Sequence, residues 1–379
     1  MAATIAVTKE TRFGETRIAA TPETVKKLIA LGYAVTVEAG AGLSASIPDA
    51  DFEAAGASLA KTAAKALADA DIVLKVRGPS EAEIKALKSG AIVIALMNAY
   101  NDADMLKAMA AKGVTGFAME FVPRITRAQV MDALSSQANL AGYRAVIEGA
   151  EAYGRVLPMM MTAAGTVAAA KVFIMGVGVA GLQAIATARR LGAVVTATDV
   201  RPATKEQVES LGAKFLAVED EEFKNAQTAG GYAKEMSAEY QAKQAALVST
   251  HIAKQDIVIT TALIPGRPAP KLVSAEQVAS MKPGSILVDL AIEQGGNVVG
   301  AELDKTVITA NGAKILGLSN LPGRIATDAS ALYARNLFAF VGLLGLSEGV
   351  VKPDLDDEIL KAAVLTHAGA IVHPAFKPQ

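Results

Sequence analysis

Short apolar runs rich in β-branched residues alternate along the chain with longer Ala-rich stretches whose apolar positions recur at helical spacing. Strands separated by helices in this way predict β-α-β units and parallel sheets. A first set of strands is predicted at residues 4–7, 34–38, 71–76, 91–96 and 115–119. A second set is predicted at residues 171–175, 193–198, 214–218, 256–260 and 285–290. Two separate sets indicate two α/β domains.

Two longer stretches with few helix-breaking residues predict helices that join these domains. One is the connecting helix at 126–152, and the other, at 329–346, returns the chain from the second domain. The N-terminal domain is therefore predicted to be discontinuous, with residues 1–125 joined by about 330–379, while residues 140–325 form the second domain. The long helices are expected to join the two domains around a cleft, which is a common place for a ligand.

One stretch departs from this pattern. Residues 224–244 lie between predicted strands but are polar, with Gly230, Gly231 and Tyr232 at their centre. Long loops in compact domains are often functional lids, and the two glycines allow the hinge movement that a lid needs. The sequence predicts a lid whose Tyr232 closes on a ligand, and a tolerated insertion is the alternative.

Composition and charge narrow the classes of function. The chain has 37 Lys and Arg against 38 Asp and Glu, and a net charge of −1 gives no positive field for a nucleic-acid partner. A hydrophobic fraction of 52% excludes a disordered chain. The absence of cysteine excludes disulfides and thiolate ligands, and the three scattered histidines argue against a metal site. The most apolar run, residues 336–346, is shorter than the ~20 residues of a membrane span, so a soluble chain is expected.

The strongest chemical signal is a glycine-rich turn between a predicted strand and a predicted helix. Gly176, Gly178 and Gly181 follow the strand at 171–175 directly, and Asp199 lies just after the next strand. The first glycine of such a turn makes the bend, the second lets a pyrophosphate approach the backbone, and the third lets helix and strand pack closely. The helix N-terminus offers free N–H groups to the phosphates. This context predicts a Rossmann-like, dinucleotide-binding domain.

The acidic residue selects between the two nicotinamide dinucleotides. Asp199 can accept hydrogen bonds from the hydroxyls of the adenosine ribose, and its charge repels a 2′-phosphate, so NAD(H) is favoured over NADP(H). Arg201, two residues later, could instead attract that phosphate. Val177 and Val179 in the turn, and Val200 beside Asp199, are also predicted contacts with the nucleotide.

Several segments together resemble the alanine dehydrogenase/nicotinamide nucleotide transhydrogenase family. They are residues 8–42, which begin TKETRFGETRIAATP, residues 176–201, GVGVAGLQAIATARRLGAVVTATDVR, and residues 260–273 and 281–297, TTALIPGRPAPKLV and MKPGSILVDLAIEQGGN. The resemblance covers nearly the whole chain. Two more specific segments are similar to the NAD(H)-binding component of proton-translocating transhydrogenase, namely PRITRAQVMDALSSQANLAGYRAV at 123–146 and GGYAKEM at 230–236.

This resemblance implies an enzyme of two Rossmann-like domains that works with partners. Hydride transfer is expected between NAD(H) bound to this chain and NADP(H) bound to a separate component. The transfer is expected to be coupled to proton passage through a membrane-spanning component. The resemblance also implies a homodimer in the cytoplasm, held peripherally at the inner face of the bacterial cytoplasmic membrane through its partner subunits.

The resemblance places Arg124, Gln129, Asp132 and Ser135 around the nicotinamide. We expect an Arg124–Asp132 ion pair to orient the carboxamide and Gln129 to touch the ring or the ribose. On the residues alone, Thr126 and Gln129 also fit a helix-capping box, and this alternative stays open. The remaining residues that the resemblance implicates in holding NAD are Gly231, Tyr232, Gln244 and Leu263.

Alanine dehydrogenase is the alternative function within the same family. Arg17 and Lys75 match the positions that hold the amino-acid carboxylate and carbonyl in that enzyme. Its acid/base histidine is replaced here by Asn98, and its usual aspartate by Glu293. An amide cannot exchange a proton with a substrate at neutral pH, whereas hydride exchange between two nicotinamides needs no such group. The sequence therefore favours transhydrogenase, with Arg17 and Lys75 either structural ion-pair residues or retained ligands.

Overall fold

The computed structural model describes residues 2–224, 226, 236–264 and 266–377 of the 379-residue chain. The chain divides into two compact units. Unit 1 comprises Met1–Gln137 and Pro322–Gln379, and unit 2 comprises Ala138–Leu321. Each unit has a mostly parallel sheet with helices in its crossover connections, which confirms the predicted α/β fold class of two Rossmann-like domains.

The regular elements are numbered in chain order. The strands are β1 Thr4–Val7, β2 Ala34–Glu38, β3 Ser58–Ala60, β4 Ile72–Arg77, β5 Ile92–Leu96, β6 Thr115–Ala118, β7 Met160–Thr162, β8 Gly165–Val167, β9 Lys171–Met175, β10 Val194–Thr198, β11 Lys214–Phe215, β12 Ile257–Thr260, β13 Ile286–Asp289, β14 Thr306–Ile308, β15 Lys314–Leu316, β16 Leu346–Ser347, β17 Val350–Val351, β18 Val364–His367 and β19 Ala370–Ile371. The α-helices are α1 Pro22–Ala30, α2 Asp49–Ala54, α3 Ala63–Leu67, α4 Glu81–Ala86, α5 Ala103–Ala111, α6 Ala133–Tyr153, α7 Val179–Arg190, α8 Thr204–Ser210, α9 Glu221–Lys224, α10 Ala238–Ile252, α11 Ala275–Ser280, α12 Ala326–Val341 and α13 Glu358–Ala363.

The strands predicted from apolar runs are all present. Most agree with the observed bounds to within one residue, but the run at 214–218 forms a strand only at Lys214–Phe215. The helix α1 begins and ends as its local signals indicate. Thr21 caps it, Pro22 is its first residue, and the chain turns at Gly32 with φ of +98°. The strands that the sequence did not indicate are two to four residues long, too short to show a periodic pattern.

Unit 1 contains an eight-stranded sheet in the order β19-β18-β6-β5-β4-β1-β2-β3. Strands β1 to β6 run parallel, β18 pairs antiparallel with β6 at one edge, and β19 pairs antiparallel with β18. Both faces are buried because successive strand residues enter different cores. In β1, Ile5 and Val7 pack in one core and Ala6 in the other. This arrangement explains why the strands read as continuous apolar runs.

Unit 2 contains a seven-stranded sheet in the order β11-β10-β9-β12-β13-β15-β14. Only β14 is antiparallel to its neighbour. The central strands again divide their side chains between two cores, with Val172 and Ile174 on one face and Phe173 and Met175 on the other. The carboxyl ends of the parallel strands lie along one edge of a sheet whose central strands are buried on both faces.

The predicted connecting helix at 126–152 is wrong in its first turn. Residues Thr126–Met131 form a 3₁₀ helix, and α6 begins only at Ala133. The break lies at Asp132, whose backbone is not helical (φ −71°, ψ 82°). Its carboxylate accepts hydrogen bonds from the backbone N–H and the hydroxyl of Ser135 at 2.8 and 2.6 Å. Asp132 therefore caps α6 and interrupts the helical pattern.

The helix predicted at 329–346 lies one turn earlier, as α12 at Ala326–Val341. In the part of the chain that the structure describes, no helix is both long and apolar enough to cross a lipid bilayer.

Candidate functional site

The strand order of unit 2 contains a point where the connections diverge. From β9 the chain passes through α7 to β10 on one side, and it later returns to the other side of β9 at β12. Open parallel sheets bind ligands at the carboxyl ends of the strands at such a point. The glycine turn after β9, Asp199 after β10 and the loop that starts at Thr261 after β12 all lie at this edge.

The three glycines of the turn have different structural reasons. Gly176 has φ of +102°, and a Cβ there would lie 2.5 Å from the Thr261 hydroxyl. A Cβ on Gly181 would lie 1.9 Å from the Gly176 carbonyl oxygen, so only glycine allows α7 to pack against the turn. Gly178 has an ordinary φ of −83°, and a Cβ there meets no described atom within 4 Å. The fold itself does not require this glycine, whereas a pyrophosphate lying on the backbone would.

The N-terminus of α7 is held at this edge by close packing on its other side. A Cβ on Gly142 of α6 would lie 2.0 Å from the carbonyl oxygen of Ala180. The helix has Gly178 as its N-cap, and no side chain caps it. Its first N–H groups and its partial positive charge therefore suit an anion. The sequence did not indicate Gly142, because nothing in a helical pattern marks which helix it packs against.

The two carboxylate oxygens of Asp199 together accept hydrogen bonds from Val177 and Arg201. Its Oδ2 accepts hydrogen bonds from the Val177 N–H at 2.8 Å and from Arg201 Nη2 at 2.9 Å. Its Oδ1 accepts from the backbone N–H and Nε of Arg201, both at 2.9 Å. The hydrogen bonds with Asp199 raise the pKa of the Arg201 guanidinium. The acidic residue of the predicted ribose site thus forms a two-pronged ion pair with the arginine that follows it.

Exposed apolar side chains surround the turn at the carboxyl ends of the strands. Val179 is 39% exposed, Val200 46% and Leu263 54%. They follow β9, β10 and β12, respectively. Apolar side chains beside a few polar groups are the usual lining of a nucleotide site. All three are predicted cofactor contacts, and their positions are compatible with that role.

Gln244 of α10 makes two hydrogen bonds that fix this edge. Its Oε1 accepts from the Val218 N–H at 2.9 Å, and its Nε2 donates to the Thr198 hydroxyl at 3.1 Å. Thr198 is the last residue of β10 and precedes Asp199. The side chain therefore positions the strand end that carries the acidic residue. Gly231 and Tyr232, the centre of the predicted lid, lie outside the described residues.

Asn297 is a positioning residue that the sequence did not reveal. Its fully buried side chain accepts a hydrogen bond from the Ala262 N–H at 3.1 Å and donates to the carbonyls of Ala262 and Pro270 at 2.9 and 2.8 Å. It ties down the loop that carries Leu263. The nearby carboxylate of Asp289, whose pKa is raised by burial, accepts from the backbone around it. Only its place after a Gly-Gly pair could have singled out Asn297.

The residues predicted around the nicotinamide lie in unit 1, in and just after the 3₁₀ helix. Arg124 and Gln129 are exposed, and Asp132 and Ser135 are half-buried and bonded to each other. The expected Arg124–Asp132 ion pair is not formed among the described side chains, because Asp132 is engaged in capping α6. This arrangement brings Asp132 and Ser135 together and leaves the other two side chains directed to solvent.

The capping alternative for Gln129 is wrong. The 3₁₀ helix has Ile125 rather than Thr126 at its N-cap, and no side chain caps it. Among the described residues, the Gln129 side chain has no hydrogen-bond partner. An exposed, unbonded amide in this segment is therefore available to a ligand, and its contact with the nicotinamide stays a prediction.

The buried Arg17 side chain makes three hydrogen bonds to other protein side chains. Glu15 receives hydrogen bonds from Nε and Nη2 of Arg17 at 2.7 and 2.6 Å, and Gln137 accepts from Nη1 at 2.7 Å. Burial raises the pKa of the Glu15 carboxyl, but Arg17 and Arg77 outweigh it and hold this pKa at about 2. The structural interpretation of Arg17 therefore fits the geometry, since its guanidinium is buried and already paired with Glu15.

Lys75 is likewise buried and bonded to other protein side chains. Its Nζ lies 2.7 Å from Glu83 and 3.5 Å from Glu10, and it donates to the Thr8 hydroxyl at 3.1 Å. Only 2% of the Lys75 side chain is exposed. Buried charges are stable only when paired, so these carboxylates explain how the lysine lies inside the fold.

Asn98, at the position of the acid/base histidine of alanine dehydrogenase, has a left-handed backbone with φ of 53°. Its N–H donates to Glu120 at 2.6 Å, and its side chain is exposed and accepts from Asn101 at 2.9 Å. Burial raises the pKa of Glu120. Glu293, the other substituted position, is exposed. Within the described ranges, no three His, Cys, Asp or Glu side chains are grouped as a metal site requires.

Comparisons with known proteins agree with this picture. The family model for the alanine dehydrogenase/PNT N-terminal domain matches residues 6–141, and that for the C-terminal domain matches residues 145–374. A relative from Rhodospirillum rubrum, named as an NAD(P) transhydrogenase alpha subunit, is 54% identical over 99% of each chain. An alanine dehydrogenase from Halomonas elongata is 30% identical over 98% of this chain and 95% of its own.

A solved structure described as transhydrogenase from Sinorhizobium meliloti is similar throughout. It superposes with a TM-score of 0.89 and 58% identity, over 97% of this chain and all of the other. The resemblance inferred from the sequence segments is thereby confirmed.

Glycine substitutions separate what the fold needs from what a ligand needs. Gly181→Ala is expected to lower the free energy of unfolding by about 3 kcal/mol or more, because its Cβ collides with a backbone carbonyl. Gly178→Ala is expected to lower stability by about 1 kcal/mol or less, since alanine is a poorer N-cap than glycine, and to weaken NADH binding on the order of tenfold. Thermal unfolding and NADH titration check both. Unchanged NADH affinity in Gly178→Ala contradicts the pyrophosphate role.

The Glu15 carboxyl makes a pH-dependent contribution to stability. A pKa lowered from 4.5 to about 2 stabilises the folded state above pH 4.5, and this stabilisation is lost as the pH falls toward 2. Its size is roughly 3 kcal/mol. Glu15→Gln should therefore unfold more easily at neutral pH and show a flatter decline between pH 5 and 2.

Glu23→Gln is the matched control for this prediction. The Glu23 carboxyl also has a pKa of about 2, through Arg335 and Lys27, but it is 42% exposed and water screens its charge. This control should change the free energy of unfolding by less than about 1 kcal/mol. Equal effects of the two substitutions, measured by denaturation at several pH values, contradict the prediction.

Proposed function

The chain belongs to the alanine dehydrogenase/PNT family, and on that premise we propose that it is the NAD(H)-binding, alpha-type subunit of an NAD(P) transhydrogenase. It takes part in hydride transfer between its own NAD(H) and NADP(H) on a partner component. The observation that carries the proposal is the glycine turn with Asp199 at the divergence point of the unit 2 sheet. The names of the relatives from Rhodospirillum rubrum and Sinorhizobium meliloti support the transhydrogenase reaction.

The donor groups at this edge suit NAD(H). The uncapped N-terminus of α7 and the open backbone at Gly178 suit the pyrophosphate, and the Asp199 carboxylate suits the adenosine ribose. Val200 and Leu263 present apolar surface to the rings. Asp199 also opposes a 2′-phosphate, which is why we assign NAD(H) here and NADP(H) to the partner component.

The work of the protein in this reaction is positioning. The bound dinucleotide supplies the hydride, and no side chain has to exchange a proton with a substrate heteroatom. Asn297 and Gln244 hold the backbone that receives the nucleotide. The Gln129 amide has no hydrogen-bond partner in the described part of the chain, and we propose that it orients the nicotinamide, with Arg124 and the Asp132–Ser135 pair beside it. Rates of such reactions depend steeply on the distance between the reacting atoms.

The alternative, alanine dehydrogenase, is less well supported. Asn98 offers no group that titrates, and its side chain is exposed. Arg17 and Lys75 are buried and already paired with carboxylates, so an amino-acid carboxylate would have to compete with Glu15 and Glu83 to bind them. We therefore expect no NADH oxidation with pyruvate and ammonium.

Partners follow from the same proposal. The subunit works with an NADP(H)-binding component and with a membrane-spanning component, and it is held peripherally at the cytoplasmic face of the membrane through them. It also forms a homodimer. The β7–β8 hairpin of unit 2 supports a subunit contact, because residues 159–168 are all exposed and residues 156–170 carry no charge. A two-stranded hairpin with apolar faces in water is only marginally stable unless something covers it.

Hydride transfer in the presence of the NADP(H)-binding component tests the function. Gln129→Asn shortens the side chain by one methylene, which is expected to slow transfer by on the order of 10²-fold through misplacement of the nicotinamide. NADH affinity and thermal stability should barely change, because the side chain of Gln129 makes no hydrogen bond to another described residue. Stopped-flow absorbance at saturating NADH measures the rate.

The matched control is Gln207→Asn, on the exposed face of α8 in unit 2, which should transfer hydride at the normal rate. A normal rate in Gln129→Asn removes this residue from the site. No transfer by the unmutated protein, or robust turnover with pyruvate and ammonium, would overturn the proposed function itself.

Sedimentation velocity tests the homodimer. Met161 is 75% exposed on β7, and Met161→Glu places a charge on the apolar hairpin. The expected result is a shift from dimer to monomer with NADH binding retained. Ile308→Glu is the control, because Ile308 is 69% exposed on the edge strand β14 and should leave the dimer intact. A monomeric unmutated protein, or an unchanged dimer in Met161→Glu, contradicts the proposed contact.

A further inference from the structure

All the hydrogen-bonding capacity of the Asp199 carboxylate is used by the protein. An ionised carboxylate has about four acceptor sites, and four donors lie at hydrogen-bond distance from its two oxygens. Arg201 supplies three of them, through its backbone N–H, Nε and Nη2, each at 2.9 Å, and Val177 supplies the fourth at 2.8 Å. A ribose hydroxyl can donate to this carboxylate only where one of these donors leaves.

The four donors differ in how easily they can leave. The backbone N–H groups of Val177 and Arg201 are fixed by the turn and by the chain after β10. The guanidinium stands at the end of a flexible side chain that is 31% exposed, whereas the Asp199 side chain beneath it is 7% exposed. Its Nη2 also donates to the Val177 carbonyl at 3.1 Å, across the glycine turn. Departure of the guanidinium frees two acceptor sites while the carboxylate stays oriented by its backbone donors.

We propose that Arg201 is a specificity-determining residue that competes with the adenosine ribose of NAD(H) for Asp199. The guanidinium leaves the carboxylate when the nucleotide binds and returns when the nucleotide departs. The pair thus lowers the affinity for NAD(H), speeds its release, and masks the negative charge that rejects a 2′-phosphate. This inference rests on the proposed function, since it takes Asp199 as the ribose acceptor.

The exchange has a functional use in this reaction. The same site must take up one redox form of the dinucleotide and release the other in every cycle, so retention of the product slows turnover. The Arg201 guanidinium is always present beside Asp199 and can pair with the carboxylate as the nucleotide leaves. The buried negative charge of Asp199 is therefore not left unpaired during release. The raised pKa of Arg201 keeps the guanidinium charged at every working pH, so the pair opens by displacement and not by deprotonation.

Titration of NADH fluorescence provides the test, and the absence of tryptophan keeps the background low. Arg201→Met removes the guanidinium and keeps the apolar part of the side chain. We expect the Kd for NADH to fall about three- to tenfold, with a matching decrease in the dissociation rate, and the preference for NADH over NADPH to increase. The Kd for NADH of Arg201→Lys should lie between those of the unmutated protein and Arg201→Met, because an ammonium lacks the planar fork that binds both carboxylate oxygens.

Asp199→Asn identifies the route of the effect. This substitution alone should weaken NADH binding, and Arg201→Met should have no further effect on the Kd when added to it, since the competition acts only through the carboxylate. Lys282→Met is the matched control. It removes a half-exposed cation 3.1 Å from Asp256, next to the amino end of β12 in the same unit, and should leave the Kd for NADH unchanged.

The possible outcomes distinguish failure of the proposed nucleotide site from failure of the competition by Arg201. If the unmutated protein does not bind NADH, or Asp199→Asn leaves the Kd unchanged, the proposed nucleotide site is wrong and the inference fails with it. If Asp199→Asn weakens binding but Arg201→Met leaves the Kd unchanged or raises it, Arg201 does not compete for Asp199, and only the inference is overturned. A fall in Kd that persists in the Asp199→Asn background also overturns it.

Discussion

The close approach of helix α7 to the carbonyl oxygen of Gly176 is the constraint on which the nucleotide edge of unit 2 depends. A single Cβ at Gly181 would lie 1.9 Å from that oxygen, and one at Gly142 would lie 2.0 Å from the carbonyl of Ala180 on the other side of the helix start. Two glycines thus hold the N-terminus of α7 between β9 and α6. The glycine turn before α7 also makes two hydrogen bonds at this edge. The Val177 N–H donates to Asp199, and the Gly176 carbonyl accepts from the Thr261 hydroxyl.

A division follows between groups that the protein uses for itself and groups that it presents. The side-chain amides of Asn297 and Gln244 form hydrogen bonds with backbone atoms and with the Thr198 hydroxyl, so they fix the loops and strand ends. Gly178, Val200 and Leu263 are exposed at the same edge. Rigid support beneath an exposed surface is the arrangement that positions a ligand without reorganising the fold. The Asp199–Arg201 pair belongs to both groups. Backbone N–H groups of Val177 and Arg201 hold the carboxylate in place, and the partly exposed guanidinium of Arg201 covers it.

Unit 1 shows how one fold serves two chemistries in this family. Arg17 and Lys75 stand where alanine dehydrogenase is expected to hold its substrate, yet here Glu15, Glu83 and their neighbours bond them within the protein interior. A buried charge is costly unless it is paired, so these carboxylates compensate the two cations and occupy donors that a substrate carboxylate would use. Together with Asn98, these pairs are the features of unit 1 that favour the proposed transhydrogenase reaction over proton exchange with an amino acid.

The sequence by itself determined the two α/β units and the place of the nucleotide turn, because both depend on local patterns. Apolar runs buried on two faces specify parallel strands, and Gly176, Gly178 and Gly181 before a helix specify the turn. Thr126 and Gln129 satisfied a local capping rule as well, but the tertiary structure begins α6 at Ala133, where Asp132 bonds Ser135. It likewise decided the partners of Arg201 and Asn297. Partners distant in sequence, such as Arg201 with Val177 and Asn297 with Ala262, depend on which atoms the whole fold brings within about 3 Å, and no local pattern contains that information.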